Sequence, residues 1–141
     1  MRVVVDTNVL VSGLISSRGA PARIVEAVLD QRIVPVFSKD TFSELRAVLR
    51  RPKFKRYFAK SGLRVSSVLA NLAAVGEFVE PRSTRQRIRD LKDRPFLEVA
   101  AAHPPPEFIV TGDKDFEDGS YGGVPVLSPT VFARIGLSES R

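Results

Sequence analysis

Two short apolar runs in this chain each end on an aspartate: Val3-Val4-Val5-Asp6-Thr7-Asn8 near the start, and Phe108-Ile109-Val110-Thr111-Gly112-Asp113-Lys114-Asp115 towards the end. Short β-branched runs bounded by polar residues read as buried strands. Strands buried on both faces belong to parallel sheets covered by helices, and in open sheets of that kind ligands sit beyond the carboxyl ends of the strands. Both aspartates are therefore expected on one edge of the sheet, the edge where chemistry is done.

The intervening pattern alternates between helix and strand. Val9, Leu10, Val11 and Leu14 predict a helix from Thr7 to Ile15, preceded by the capping oxygens of Asp-Thr-Asn. Ile24, Val25, Val28 and Leu29 predict a second over residues 20 to 30, with Pro21 acceptable in its first turn. Ile33 to Phe37 reads as a strand, and Ser38 as the N-cap of a third helix that has Phe42, Leu45, Val48 and Leu49 on one face and carries Glu44. Pro52 interrupts the pattern. A short segment with Phe54, Tyr57 and Phe58 then leads to Gly62, and a further helix is expected over about residues 64 to 75. Phe78 and Val79 suggest a brief strand, and the polar stretch from Pro81 to Lys92 an exposed loop or edge helix. Asp93 can cap a helix that buries Phe96, Leu97, Val99 and Ala100, and His103 with its three following prolines stops it. After the strand through Phe108 and Val110 come a Gly-rich loop, a strand at Val124 to Leu127 and a final helix opened by Ser128 and Pro129. The order predicts an α/β fold, a three-layer α/β/α sandwich with a mainly parallel, Rossmann-like central sheet and right-handed crossovers.

At 141 residues, 43% hydrophobic and 27% charged, the chain is expected to form a single domain over 1–141. No apolar run approaches the roughly 18 residues of a membrane span, and the start reads as a strand and not as a leader, so a cytoplasmic protein is expected. The lack of cysteine excludes disulfides, thiolate catalysis and Cys-ligated zinc. One histidine, His103, excludes a histidine cluster, so any metal must be held by oxygen. A net charge of +6 favours a polyanionic partner, with nucleic acid the natural candidate.

Asp6, Glu44, Asp93 and Asp113, with Asp115 two residues on, fall at element junctions where their side chains could converge. Carboxylates brought that close repel one another unless a divalent ion neutralises them, and an all-oxygen set suits Mg²⁺ or Mn²⁺. Such an ion activates water and neutralises charge on a phosphodiester, which matches a basic surface. Taken singly, the same residues also serve as helix caps, solvated helix positions or turn residues.

Val-Val-Val-Asp-Thr-Asn-Val-Leu at the start, Ser43-Glu44-Leu45, Asp93-Arg-Pro-Phe-Leu-Glu-Val-Ala and Ile109-Val-Thr-Gly-Asp-Lys-Asp, in this order, resemble the PIN-domain family over nearly the whole chain. Within it the sequence is similar to prokaryotic toxin components of toxin-antitoxin systems, related to the VapC-type ribonucleases. The resemblance implies an Mg²⁺- or Mn²⁺-dependent endoribonuclease in which Asp6, Glu44, Asp93 and Asp113 match the acidic metal ligands. It also implies that Asp115 is an accessory ligand, that Asn8 and Thr111 orient ligands or water, and that the partners are RNA, an antitoxin protein and a second copy in a homodimer. The chain departs from the family pattern at Arg94-Pro95, where relatives carry an acidic or amide residue followed by lysine. A guanidinium there can pair with Asp93 or hold a phosphate. That departure motivates the alternative, a catalytically weak PIN-fold module that binds RNA or an antitoxin.

Two basic runs could follow an RNA backbone: Arg50, Arg51, Lys53, Lys55 and Arg56 after the Glu44 helix, and Arg82, Arg85, Arg87, Arg89 and Lys92 before Asp93. Arg50, Arg51, Lys53 and Arg94 are the candidate RNA contacts. Phe54, Tyr57 and Phe58 offer rings that either stack on bases or belong to a core or an interface. Two rivals fail on the residues after the first strand: a phosphoacceptor receiver domain needs an adjacent acidic pair, and a haloacid-dehalogenase-like phosphatase needs an aspartate where Asn8 stands.

Overall fold

The computed structural model describes residues 1–81, 94–102, 104–112, 120–121 and 123–137. The elements run β1 (Arg2–Val5), α1 (Thr7–Ile15), α2 (Ala20–Leu29), β2 (Val34–Phe37), α3 (Lys39–Leu49), α4 (Pro52–Lys60), α5 (Val65–Val75), β3 (Glu77–Phe78), α6 (Arg94–Ala100), β4 (Phe108–Val110), β5 (Ser120–Tyr121), β6 (Val124–Leu127) and α7 (Pro129–Ile135). The strands form one sheet in the order β3-β2-β1-β4-β6-β5. The first five are parallel, and β5 closes the edge antiparallel to β6. β1 lies inside the sheet, with Val3, Val4 and Val5 in register with Phe108, Ile109 and Val110.

Alternation along the strands builds two cores. Val3, Val5, Phe37 and Val110 point to the larger one, where they meet apolar faces of α1 to α5 and α7, among them Leu10, Ile24, Leu45, Leu72 and Phe132. Val4, Val36, Ile109 and Val124 point to the other face, under Phe96, Val99 and Ala100 of α6. Helices thus cover both faces, which is why the strands read as unbroken apolar runs. The tightest helix contact is at Gly13 of α1, where an added Cβ would stand 2.3 Å from the Pro21 carbonyl oxygen and 2.5 Å from Val25 Cγ2.

Among the described residues the expected strands and helices are present, with two additions. The segment after Pro52 is a full helix, α4, because Pro52 sits in its first turn, where its missing N–H costs nothing, and does not break it. Phe54 and Phe58 of that helix are buried in the larger core, and Tyr57 is exposed. β5 was not foreseen, since a two-residue edge strand leaves no apolar period in the sequence. Ser38 caps α3 as expected, and its box is closed by Thr41: the Thr41 N–H donates to Ser38 Oγ at 3.1 Å, and the Ser38 N–H donates to Thr41 Oγ1 at 2.9 Å. Asp93, Asp113, Asp115, His103, the basic stretch from Arg82 to Lys92 and the side chain of Arg94 lie outside the described residues.

Candidate functional site

Parallel pairing brings the ends of β1 and β4 side by side. The Asp6 N–H donates to the Val110 carbonyl at 2.9 Å, and the Thr111 N–H donates to the Leu127 carbonyl at 3.0 Å. Asp6 and Thr111 are therefore the first residues beyond two neighbouring strands, at their carboxyl ends. There the Thr111 hydroxyl donates to Asp6 Oδ2 at 2.8 Å. Thr111 is only 4% exposed, so its side chain is held firmly against the carboxylate it contacts.

Asp6 is also the N-cap of α1, its Oδ1 accepting the Asn8 N–H at 3.3 Å. One carboxylate thus meets a hydroxyl through one oxygen and the positive end of a helix through the other. The next residue, Thr7, is buried and donates its hydroxyl to Glu44 Oε2 at 3.0 Å. The capping box at Ser38 fixes the start of α3, and Phe42, Leu45 and Leu49 seat one face of it in the core. Glu44, an exposed residue, is left beside Thr7. The structure therefore gathers Asp6, Asn8, Glu44 and Thr111 around the end of β1.

A hollow of about 360 Å³ opens at this point, lined by Asp6, Asn8, Val9, Ser12, Pro21, Gly112 and Pro129. Its floor is the first two turns of α1, with Asn8 and Ser12 four residues apart on one helix face. Gly112 brings the chain to its rim immediately before Asp113. A larger hollow of about 510 Å³ lies elsewhere, between α1, α2, α4 and α5, and none of the candidate acids lines it. The smaller one is lined by Asp6 and Asn8, whereas Glu44 and Thr111 are not among its lining residues.

The donor set suits a hard divalent cation. Asp6 and Glu44 offer carboxylate oxygens only, and their described partners are two hydroxyls and one amide N–H, with no competing cation. The described residues alone do not bring three acidic, histidine or cysteine side chains together, since the remaining candidate acids lie outside them.

Two residues of the site went unread in the sequence. Thr7 is spent on Glu44 and not on capping, and the signal was its bulk: a β-branched hydroxyl next to a strand-end carboxylate faces inwards as readily as outwards. Ser12 could have been found from its helical spacing to Asn8. Among the candidate RNA contacts, Arg50, Arg51 and Lys53 are all exposed, clustered where α3 gives way to α4.

A family model for the PIN domain matches residues 2–115. An uncharacterised protein of Methanocaldococcus jannaschii is 30% identical over 115 residues, covering 82% of this chain and 72% of the relative. No solved structure matches significantly.

Proposed function

The chain belongs to the PIN-domain family, whose members are in general nucleases, and from that premise we propose that it is an Mg²⁺- or Mn²⁺-dependent endoribonuclease, the toxin of a toxin-antitoxin pair. The observation that carries this reading is the Asp6 carboxylate, placed beyond the carboxyl end of an interior parallel strand and oriented by Thr111, with Glu44 tethered one residue away through Thr7. In this reading the whole chain is one domain. Asp6, Glu44, Asp93 and Asp113 hold one or two ions, with Asp115 as an accessory ligand.

When bound, such an ion lowers the pKa of water and offsets charge on the phosphodiester. The chain's own residues do the rest. Thr111 and the Asn8 N–H fix the direction in which Asp6 presents its oxygens, and Thr7 does the same for Glu44. Val9, Pro21 and Pro129 give the hollow beside Asp6 apolar walls. Arg50, Arg51, Lys53 and Arg94 contact the RNA. No side-chain nucleophile is needed. An antitoxin, a homodimer and a cytoplasmic setting complete the proposal; no helix among the described residues is long and apolar enough to cross a membrane.

The test is cleavage of single-stranded and structured RNAs by purified protein with Mg²⁺, with Mn²⁺ and with EDTA, beside Asp6→Asn. Asparagine keeps a capping oxygen at position 6, so the variant should fold and melt like the parent. Metal-dependent cleavage lost in Asp6→Asn supports the reading. RNA binding without cleavage under either metal would sink it and favour the catalytically weak module, and replacing Arg94 by Asn would then show whether that guanidinium disabled the site.

A further inference from the structure

The longest acid-free stretch of the chain, between Glu44 and Glu77, contains one of its two basic runs. Seven lysines and arginines fall between residues 50 and 64, and no acid occurs between Glu44 and Glu77. Those seven charges exceed the net +6 of the whole protein, so the remaining residues taken together are slightly acidic. The segment is the end of α3, all of α4 and the start of α5, and every lysine and arginine in it is exposed.

The fold shapes part of this charge into a receptacle. A hollow of about 390 Å³ is lined by Arg50, Lys55, Arg64 and Ser66 over an apolar floor that includes Ala59 and Leu63. Arg50 is the C-cap of α3 and Arg64 the N-cap of α5, so three cations converge from three segments. No described carboxylate lies within ion-pair distance of any of them; the ion pair formed among the described residues is Arg2 with Glu77, elsewhere. Cations left unpaired around a concave site repel one another, and an anion relieves that cost. The apolar floor, with Leu63 at 49% exposure, suits a sugar or base more than a bare ion. Tyr57, two residues on from Lys55, projects from the opposite flank of α4 and takes no part.

We propose that this hollow is a groove for the backbone of single-stranded RNA, distinct from the carboxylate centre and acting with it; the ligand class rests on the nuclease reading above. Glu44 lies in α3 and Arg50 is its C-cap, about 9 Å apart in helical rise and about 120° apart around the axis, so a strand that bends around α3 can engage both. Arg50, Lys55 and Arg64 hold phosphates, and Ser66 offers a hydroxyl donor to the same chain.

The experiment is fluorescence anisotropy of a labelled single-stranded RNA of mixed sequence with the 141-residue chain in EDTA, across a salt series. Arg50→Gln, Lys55→Gln and Arg64→Gln are combined in one variant, and Arg18→Gln, Arg32→Gln and Arg134→Gln in a second that removes equal charge elsewhere. The groove variant should bind roughly ten-fold or more weakly at moderate salt, with a log–log salt slope shallower by about 2, since each phosphate contact on a single strand contributes about 0.7. The second variant should keep most of the affinity. Equal losses in the two variants, or an unchanged groove variant, would overturn the groove. So would a polyglutamate peptide that binds as tightly as RNA and with the same dependence on the three residues, which would make it a protein-docking site. Because binding is read without metal, groove-dependent binding by a protein that never cleaves would sink the nuclease reading and leave the groove standing. Cleavage by a protein whose groove variant binds normally would do the reverse.

Discussion

The Thr111 hydroxyl reaches Asp6 Oδ2 at 2.8 Å across 105 residues of chain. Its removal in Thr111→Val leaves the carboxylate held by the Asn8 N–H and no longer by the hydroxyl, and partners of this kind are worth about 10- to 100-fold in metal affinity or activity. Cleavage should fall by that order and the metal concentration for half-activity should rise. Thr111→Ser should restore most of both. Stability should drop by only about 1 kcal/mol, so a thermal melt separates lost positioning from lost fold.

Thr7 should act through Glu44 and through nothing else. A double-mutant cycle tests this: Thr7→Val should cost roughly 10-fold or more in cleavage in the parent and almost nothing further once Glu44→Gln is in place. Independent, additive losses would show that Thr7 has another task.

Gly13→Ala sets helix propensity against packing. Alanine is favoured by about 1 kcal/mol in a helix interior, but its Cβ would meet a backbone carbonyl at 2.3 Å, which cannot swing aside as a side-chain tip would. Overpacking costs of about 1–3 kcal/mol should win, and the urea midpoint should fall. Pro21, whose carbonyl is struck, also lines the hollow at Asp6, so activity should fall with it.

Arg2 ties three parts of the molecule together. Its guanidinium donates from Nε and Nη2 to Glu77 at 2.7 and 3.1 Å, and from Nη1 to the carbonyls of Pro104 and Pro105 at 2.9 and 3.1 Å. Arg2→Ala should lower stability by about 1–2 kcal/mol, discounted because Glu77 is 41% exposed. Arg2→Lys should recover less than half, since an ammonium cannot serve that fork. Glu77→Gln should cost less than Arg2→Ala because both carbonyl bonds survive. Chemical denaturation of the three variants gives the ranking.

The strands and most helices were legible because burial on two faces leaves unbroken apolar runs, and burial on one leaves a helical period. Val3 to Val5 and Ile24 to Leu29 show the two cases. The helix after Pro52 was missed because a proline reads as an interruption wherever it falls, whereas in a first turn it starts a helix. At the site, the motif order pointed to Asp6 and Glu44, and their neighbourhood at the end of β1 follows from strand order. The link between them was not legible. It depends on which way the Thr7 hydroxyl turns, which no spacing encodes. Nor could the sequence show that Arg64, fourteen residues from Arg50, shares a hollow with it.

The interior place of β1 has a temporal consequence. Asp6 is made well before the groups that complete its surroundings: Val110, which accepts its N–H, and Thr111, 105 residues on, which steadies its carboxylate. A nascent chain that has not yet reached residue 111 lacks them both. The polar centre is thus assembled only after the strands and helices between Asp6 and Val110 have been translated.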